Sequence, residues 1–222
     1  MAPPGKRKVN RRTAMTDIAR GAGAVCLGGF SLAALVQTAS RADARAIRPP
    51  GALPESDFLA ACVHCGLCVQ ACPYNTLSLA EWGQEAGIGT PFFTPRDEPC
   101  YMCTDIPCAR ACPTGALDAE IPSIRDARMG VAVLVGHEDC LNYKGMNCSI
   151  CVRVGPIRGS AITLEPGEAN GRAIMIPTVH SDHCTGCGTC EKHCVTGHAS
   201  IRVLPRDLGL GGKGRNRAGR ST

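Results

Sequence analysis

Apolar positions are spread unevenly along the 222 residues. Residues 21–39 carry no charge, but four glycines and several Ala, Ser and Thr make the run less apolar than a typical spanning helix. Its nineteen residues approach the length needed to cross a bilayer, so an uncleaved anchor is the alternative to a cleaved leader. Beyond it the apolar runs are short. Met129–His137, rich in β-branched residues, predicts a strand, and Arg172–His180 and Ala199–Leu204 read the same way. Ala46–Pro54 is proline-rich and cannot be helical throughout. Gly and Pro number 26 and 16, aromatics are 4% and there is one Trp (Trp82), so large side chains for a conventional interior are scarce.

Cysteine changes that picture. Fifteen of sixteen cysteines fall into four groups: Cys62, Cys65, Cys68 and Cys72; Cys100, Cys103, Cys108 and Cys112; Cys140, Cys148 and Cys151; Cys184, Cys187, Cys190 and Cys194. The first and last have the C-x2-C-x2-C-x3-C spacing by which bacterial ferredoxins hold [4Fe–4S] cubes. Three close thiolates cover three corners of one cube, and the fourth ligates another. Zinc sites favour paired C-x2-C units that close one tetrahedron, and three thiols so close in sequence cannot each find a disulfide partner nearby. The groups start about 40 residues apart, which makes an internal repeat whose unit is a ligand loop, a short helix after the third cysteine, and neighbouring strands. The expected fold class is α+β, with tandem ferredoxin-like units of the bacterial 2[4Fe–4S] type, loop-rich and organised around clusters. Because metal gathers the ligands, its binding contributes folding free energy directly.

The third group is broken: Gly155 precedes Pro156 where a cysteine is expected, and glycine cannot ligate iron. The damage falls on the site that this fourth cysteine would serve. Pairing groups one with four and two with three, by analogy with other four-cluster proteins, gives Cys112 to Cys140, Cys148 and Cys151. The site on Cys100, Cys103 and Cys108 is then short of a thiolate, and holds a [3Fe–4S] cluster or a cube with a non-cysteine ligand. Pairing one with two and three with four is the other order. Up to four clusters are expected.

Charge separates the ends from the body. Residues 1–44 carry seven Lys/Arg against two Asp/Glu, residues 45–205 twelve against sixteen, and residues 206–222 five against one. The basic residues have no aromatic interleaving, so nucleic-acid binding has no support. Residues 1–44 read as a twin-arginine-type signal peptide, with Arg11-Arg12 ahead of the uncharged run and Ala42-Asp43-Ala44 fitting cleavage after Ala44. Cys26 lies in that leader as an inert apolar residue. Residues 45–57 are expected to form a proline-rich linker, 58–205 the polyferredoxin domain, and 206–222 a basic, Gly-rich, disordered tail.

Gly66, Gly186 and Gly188 let the backbone approach a cluster so that amides can donate to sulfur. Pro73, Pro113 and Pro156 fix the chain beyond each ligand turn, and Val195 takes that place in group four. His64, His183 and His193 stand beside ligands but read as surface residues, as do Arg110 and Arg153. No hydrolytic triad or nicotinamide site is visible.

Together the leader, Arg48-Pro-Pro-Gly-Ala, the Cys62–Pro73 motif, Pro99-Cys-Tyr-Met-Cys, Cys140-Leu-Asn-Tyr-Lys-Gly and Cys184-Thr-Gly-Cys-Gly-Thr-Cys resemble the NapG/MauM family of periplasmic ferredoxin-type proteins. Ala46–Pro54 and the Cys-Glu-Lys-His-Cys-Val ending are closer to its methylamine-utilisation branch. The resemblance implies a cysteine where Gly155 stands. It also implies periplasmic electron transfer, a membrane-bound ferredoxin-type partner, redox partners in the periplasm, and only indirect membrane association. The expected role is relaying electrons in methylamine utilisation, without a substrate site of its own. The alternatives are a quinol dehydrogenase subunit serving nitrate reductase, or an electron donor in maturation of the dehydrogenase cofactor.

Overall fold

A computed structural model describes Met15 and residues 46–211, except Glu85 and Asn170. The expected signal peptide, its cleavage site and Cys26 lie outside the described residues. So does the Gly-rich run from 212 onwards.

The elements are short. Helix α1 (Glu55–Ala61) starts after Pro54, with Glu55 and Asp57 in its first turn, where acidic side chains favour the helix dipole. It ends as Cys62 turns extended and buries only Phe58. Four one-turn helices follow, one per cysteine group: α2 (Leu67–Gln70), α3 (Pro107–Arg110), α4 (Ile150–Val154) and α5 (Thr189–Lys192). Each contains the third cysteine of its group, so the helix begins before that ligand and not after it as expected. A last turn, α6 (Arg206–Gly209), packs over two strands.

Six strands make three antiparallel pairs. β1 (Ser78–Leu79) pairs with β2 (Pro91–Phe92), and β3 (Val131–Leu134) pairs with β6 (Ile201–Leu204). β4 (Ile162–Ala169) and β5 (Arg172–Val179) form a long hairpin, from Ile162 opposite Val179 to Ala169 opposite Arg172. The three expected strands thus correspond to β3, β5 and β6. β4 was not expected, because Pro166-Gly167 interrupts its apolar pattern; a two-stranded ribbon with a free edge accommodates both.

The core runs through the ligands. Cys68, Cys108, Cys184 and Cys190 are buried in one cluster with Ile47, Phe58, Leu77, Phe93, Leu117, Ile124, Val131 and Ile201. Two expectations are corrected here. Residues 46–50 are buried, not a free linker: Ile47 bridges Phe93, Ala52 bridges Leu117, and α1 already begins at Glu55. At the other end residues 206–209 are helical against β3 and β6, so the body extends past 205.

Arg48 holds the strap in place. It is only 5% exposed. Its guanidinium lies 4.8 Å from the centroid of the Phe58 ring and forks onto Glu55 at 2.5 and 3.0 Å. It also donates to Thr90 Oγ1 and the Pro91 carbonyl at 2.8 and 3.0 Å. A buried cation is tolerated only when so fully paired. Arg48→Met should therefore cost about 2–3 kcal/mol, discounted because Glu55 is partly exposed. Thermal unfolding of the loaded protein should show this as a Tm lower by ~4–12 °C; an unchanged Tm would show that the strap contributes nothing.

Candidate iron–sulfur centres

The fifteen described cysteines are all free thiols. Among the described residues no three His, Cys, Asp or Glu side chains could hold a single metal ion.

Neighbouring groups share ligands. The Cys68 thiol is pushed up to about 11, first by burial and then by Cys62, Cys112 and Cys65 around it, against an amide bond from Val69. Cys112, from group two, thus joins the thiols of group one. The return crossing is Cys72: it lines one cavity with Cys100, Cys103 and Cys108, and its charge raises the latter two, after burial. Helices α2 and α3 pack together accordingly. In the second half α4 packs on α5, and one cavity is lined by Cys140, Cys148, Cys151 and Cys194. The order is one with two and three with four. The expected pairing of one with four and two with three is corrected: the third cysteine of each group rides a helix that packs on its neighbour in sequence.

The correction moves the gap. The cavity around Cys184, Cys187 and Cys190 is lined on its remaining side by Gly155 and Pro156. The site on Cys100, Cys103 and Cys108, expected to be deficient, has its fourth thiol in Cys72. The incomplete site is still a cavity, walled also by Ala132, Ile162 and Val203. Three sites therefore fit four-cysteine ligation and one does not.

The sites also form a row. The Cys100 N–H donates to the Cys187 carbonyl at 2.8 Å, so the second site adjoins the fourth. Cys151 of the third site stands near Cys190 of the fourth. The sequence in space is first, second, fourth, third. Arg96 staples the two halves by donating to the carbonyls of Glu191, Cys194 and Thr196 at 2.6, 2.9 and 3.1 Å, closing the end of α5.

Two segments, 61–116 and 144–198, match the 4Fe-4S dicluster domain, each spanning one of the two halves. The chain is 81% identical to the methylamine utilization ferredoxin-type protein MauM of Paracoccus denitrificans (strain Pd 1222), over 97% of this chain and 96% of that protein. It is 67% identical to the MauM protein of Methylorubrum extorquens over the full length of both. It is 52% identical to the ferredoxin-type protein NapG of Escherichia coli (strain K12), over 95% and 92%. The chain belongs to the MauM/NapG family of ferredoxin-type proteins. It is built of tandem ferredoxin-type units, a domain type that carries [4Fe–4S] clusters.

Within this MauM/NapG architecture the ligand loops share a backbone device. His64, Met102 and Gly186, each one residue before the second cysteine, and Gly66, Ile106 and Gly188, each two before the third, all take positive φ. Ile106 at φ +44 is costly for a β-branched residue. Gly186 is fixed by a close approach as well: a Cβ there would lie 2.3 Å from the Gly130 nitrogen. That contact brings the Ala132 N–H to Cys184 Sγ at 3.4 Å. Group three departs from this device. Its loop is held by buried Asn142, whose Oδ1 accepts from the Cys148 N–H at 2.6 Å.

The crossing thiols of groups two and four sit in nests of donors. Burial alone would raise Cys112, but the amides of Leu117, Thr114 and Ala116 and the Thr114 hydroxyl outweigh it and lower its pKa. Cys194 is lowered in the same way, burial being outweighed by Thr196 Oγ1 at 3.1 Å and the amides of Thr196, Ser200 and Ile201. Such donors favour the anionic ligand. Sequence reasoning missed Thr114, Thr196, Asn142 and Arg96; the recurring Cys-x-Thr of Cys112, Cys187 and Cys194 was the available signal. His64, His183 and His193 are exposed, as are Arg110 and Arg153. Tyr74 and Tyr101, whose rings stack with centroids 4.2 Å apart, line the second cavity.

Two measurements follow from this arrangement. In the iron-free chain, burial pushes Cys68 and Cys151 up to about 11 and Cys100 and Cys108 up to about 12, from an ordinary 9.0. A thiol whose pKa is raised by folding stabilises the fold fully below its unfolded value and loses that effect as pH rises through the folded one. Circular dichroism of the iron-free chain should thus show falling stability between pH about 9 and 12, while cluster loading, which releases protons, gains over the same range. Cysteine exchange tests the pairing: Cys112→Ser and Cys65→Ser should perturb the same EPR signal of the reduced protein, and Cys72→Ser should perturb that of Cys103→Ser. Coincidence of Cys112→Ser with Cys140→Ser would restore the other order.

Proposed function

We propose that this protein relays electrons in methylamine utilisation through up to four iron–sulfur clusters, one of them short of a cysteine ligand, and performs no bond chemistry itself. The observation that carries this reading is the row of four cysteine sites joined by ligand-to-ligand contacts, most directly the Cys100–Cys187 hydrogen bond. Clusters bound there would supply one-electron redox chemistry. The polypeptide's work is to hold them close and to tune them. Backbone amides and the Thr114 and Thr196 hydroxyls donate to ligand sulfur. The buried side chains of Phe58, Phe93 and Leu117 keep water from the interior. Such hydrogen bonding and exclusion of solvent set cluster potentials.

Identity to MauM proteins of two methylamine-utilising systems, 81% and 67%, supports the assignment over the NapG role in nitrate reduction, where identity is 52%. Export folded through the twin-arginine route, with cleavage after Ala44 and action in the periplasm, rests on the leader residues. A membrane-bound ferredoxin-type protein is the expected partner, with periplasmic redox proteins beyond it and membrane association indirect. Electrons supplied for maturation of the dehydrogenase cofactor are the second reading. Gene deletion separates the two: loss of growth on methylamine with active dehydrogenase still present is the outcome for a relay. Inactive dehydrogenase assigns maturation, and undisturbed growth on methylamine with impaired nitrate respiration assigns the NapG role.

A further inference from the structure

Four cube sites need four thiolates each, and the described cysteines number fifteen. The shortfall lies at one corner. Around the cavity of Cys184, Cys187 and Cys190, the wall that should carry the fourth ligand is Gly155, followed by Pro156 and Ile157. The rest of the lining is mostly apolar, including Ile162 and Val203. The polar side chain there is Thr185, and its hydroxyl is committed to Met102 Sδ at 3.4 Å. Cys151 reaches this cavity too, but it also lines the cavity of the third site with Cys140, Cys148 and Cys194. Lending it to the fourth site would only move the shortage to the third.

We infer that the site on Cys184, Cys187 and Cys190 binds a three-iron cluster, [3Fe–4S], whose missing corner faces Gly155. This rests on the reading of the chain as an iron–sulfur protein and deepens it by fixing the type and place of one centre. Three thiolates satisfy three irons one to one, and the cavity's lining adds only the Thr185 hydroxyl and Cys151, which also lines the cavity of the third site. The cavity has not closed over the gap. Gly155 has φ −62 and ψ 141, which any residue adopts, and a Cβ there would meet nothing nearer than the Cys151 carbonyl at 3.7 Å. A thiol introduced at that position therefore enters open space beside the deficient corner. Because the row runs first, second, fourth, third, the three-iron centre occupies an interior place in it.

The experiment is EPR of the full-length protein, purified without oxygen and then mildly oxidised, with iron and sulfide determined on the same samples. The unaltered protein should show the signal of an oxidised three-iron cluster. Gly155→Cys should lose that signal and hold one more iron per chain, while Gly155→Ala should behave as the unaltered protein. Absence of the three-iron signal, or its persistence in Gly155→Cys, overturns the inference. So does a fully four-iron protein whose fourth site becomes deficient only in Cys26→Ser, since Cys26 would then be the missing ligand. A protein with iron and sulfide in four-iron clusters only would overturn this inference and leave the relay standing. One without iron or sulfide would overturn both.

Discussion

Delivery of thiols to four clustered sites, by a chain with few large side chains, is the constraint on which everything else in the molecule turns. The ligand loops are too short to have hydrophobic interiors of their own, and Cys68, Cys108, Cys184 and Cys190 lie in the core itself. Each site takes three thiolates from one loop and looks to the adjacent motif for the last. One cysteine group therefore cannot be packed without its neighbour, and the short helices α2 with α3 and α4 with α5 meet for that reason. Positive φ at His64, Met102 and Ile106 is a conformational cost tolerated because the ligand geometry requires it.

The two halves meet at their cysteine loops as well as through the shared apolar core. Cys100 is bonded to Cys187 backbone to backbone, Thr185 reaches Met102, and the Arg96 fork closes the turn that carries Cys194. Spacing between the second and fourth sites is set by these contacts. The deficient corner at Gly155 lies in the same half as the hairpin β4–β5, against which α4 packs, and the backbone there runs in ordinary conformations. The loss of a thiol at that corner has been absorbed without rebuilding the fold around it.

Much of this was legible from residue spacing. The four cysteine groups, the mixed helix and strand content and the strands β3, β5 and β6 all follow from local pattern. Pairing was not legible, because spacing shows which thiolate leaves its own site but not where it lands; that depends on how α2, α3, α4 and α5 pack. β4 was hidden by Pro166 and Gly167, which disrupt alternation yet fit a two-stranded ribbon. The buried strap at 46–50 read as linker because three prolines within nine residues look like spacer. Its role depends on a side chain, Arg48, finding Glu55, Thr90 and Pro91, and two of those partners lie more than 40 residues away.

Exchange of ligands between adjacent motifs has a consequence for biosynthesis. Every thiolate of the first two sites lies between Cys62 and Cys112, so a nascent chain carries a complete ligand set for both before the second half has left the ribosome. Exchange between distant motifs would have withheld both until the last cysteine emerged. Assembly can thus run from the amino end in two instalments, the first not waiting for the second.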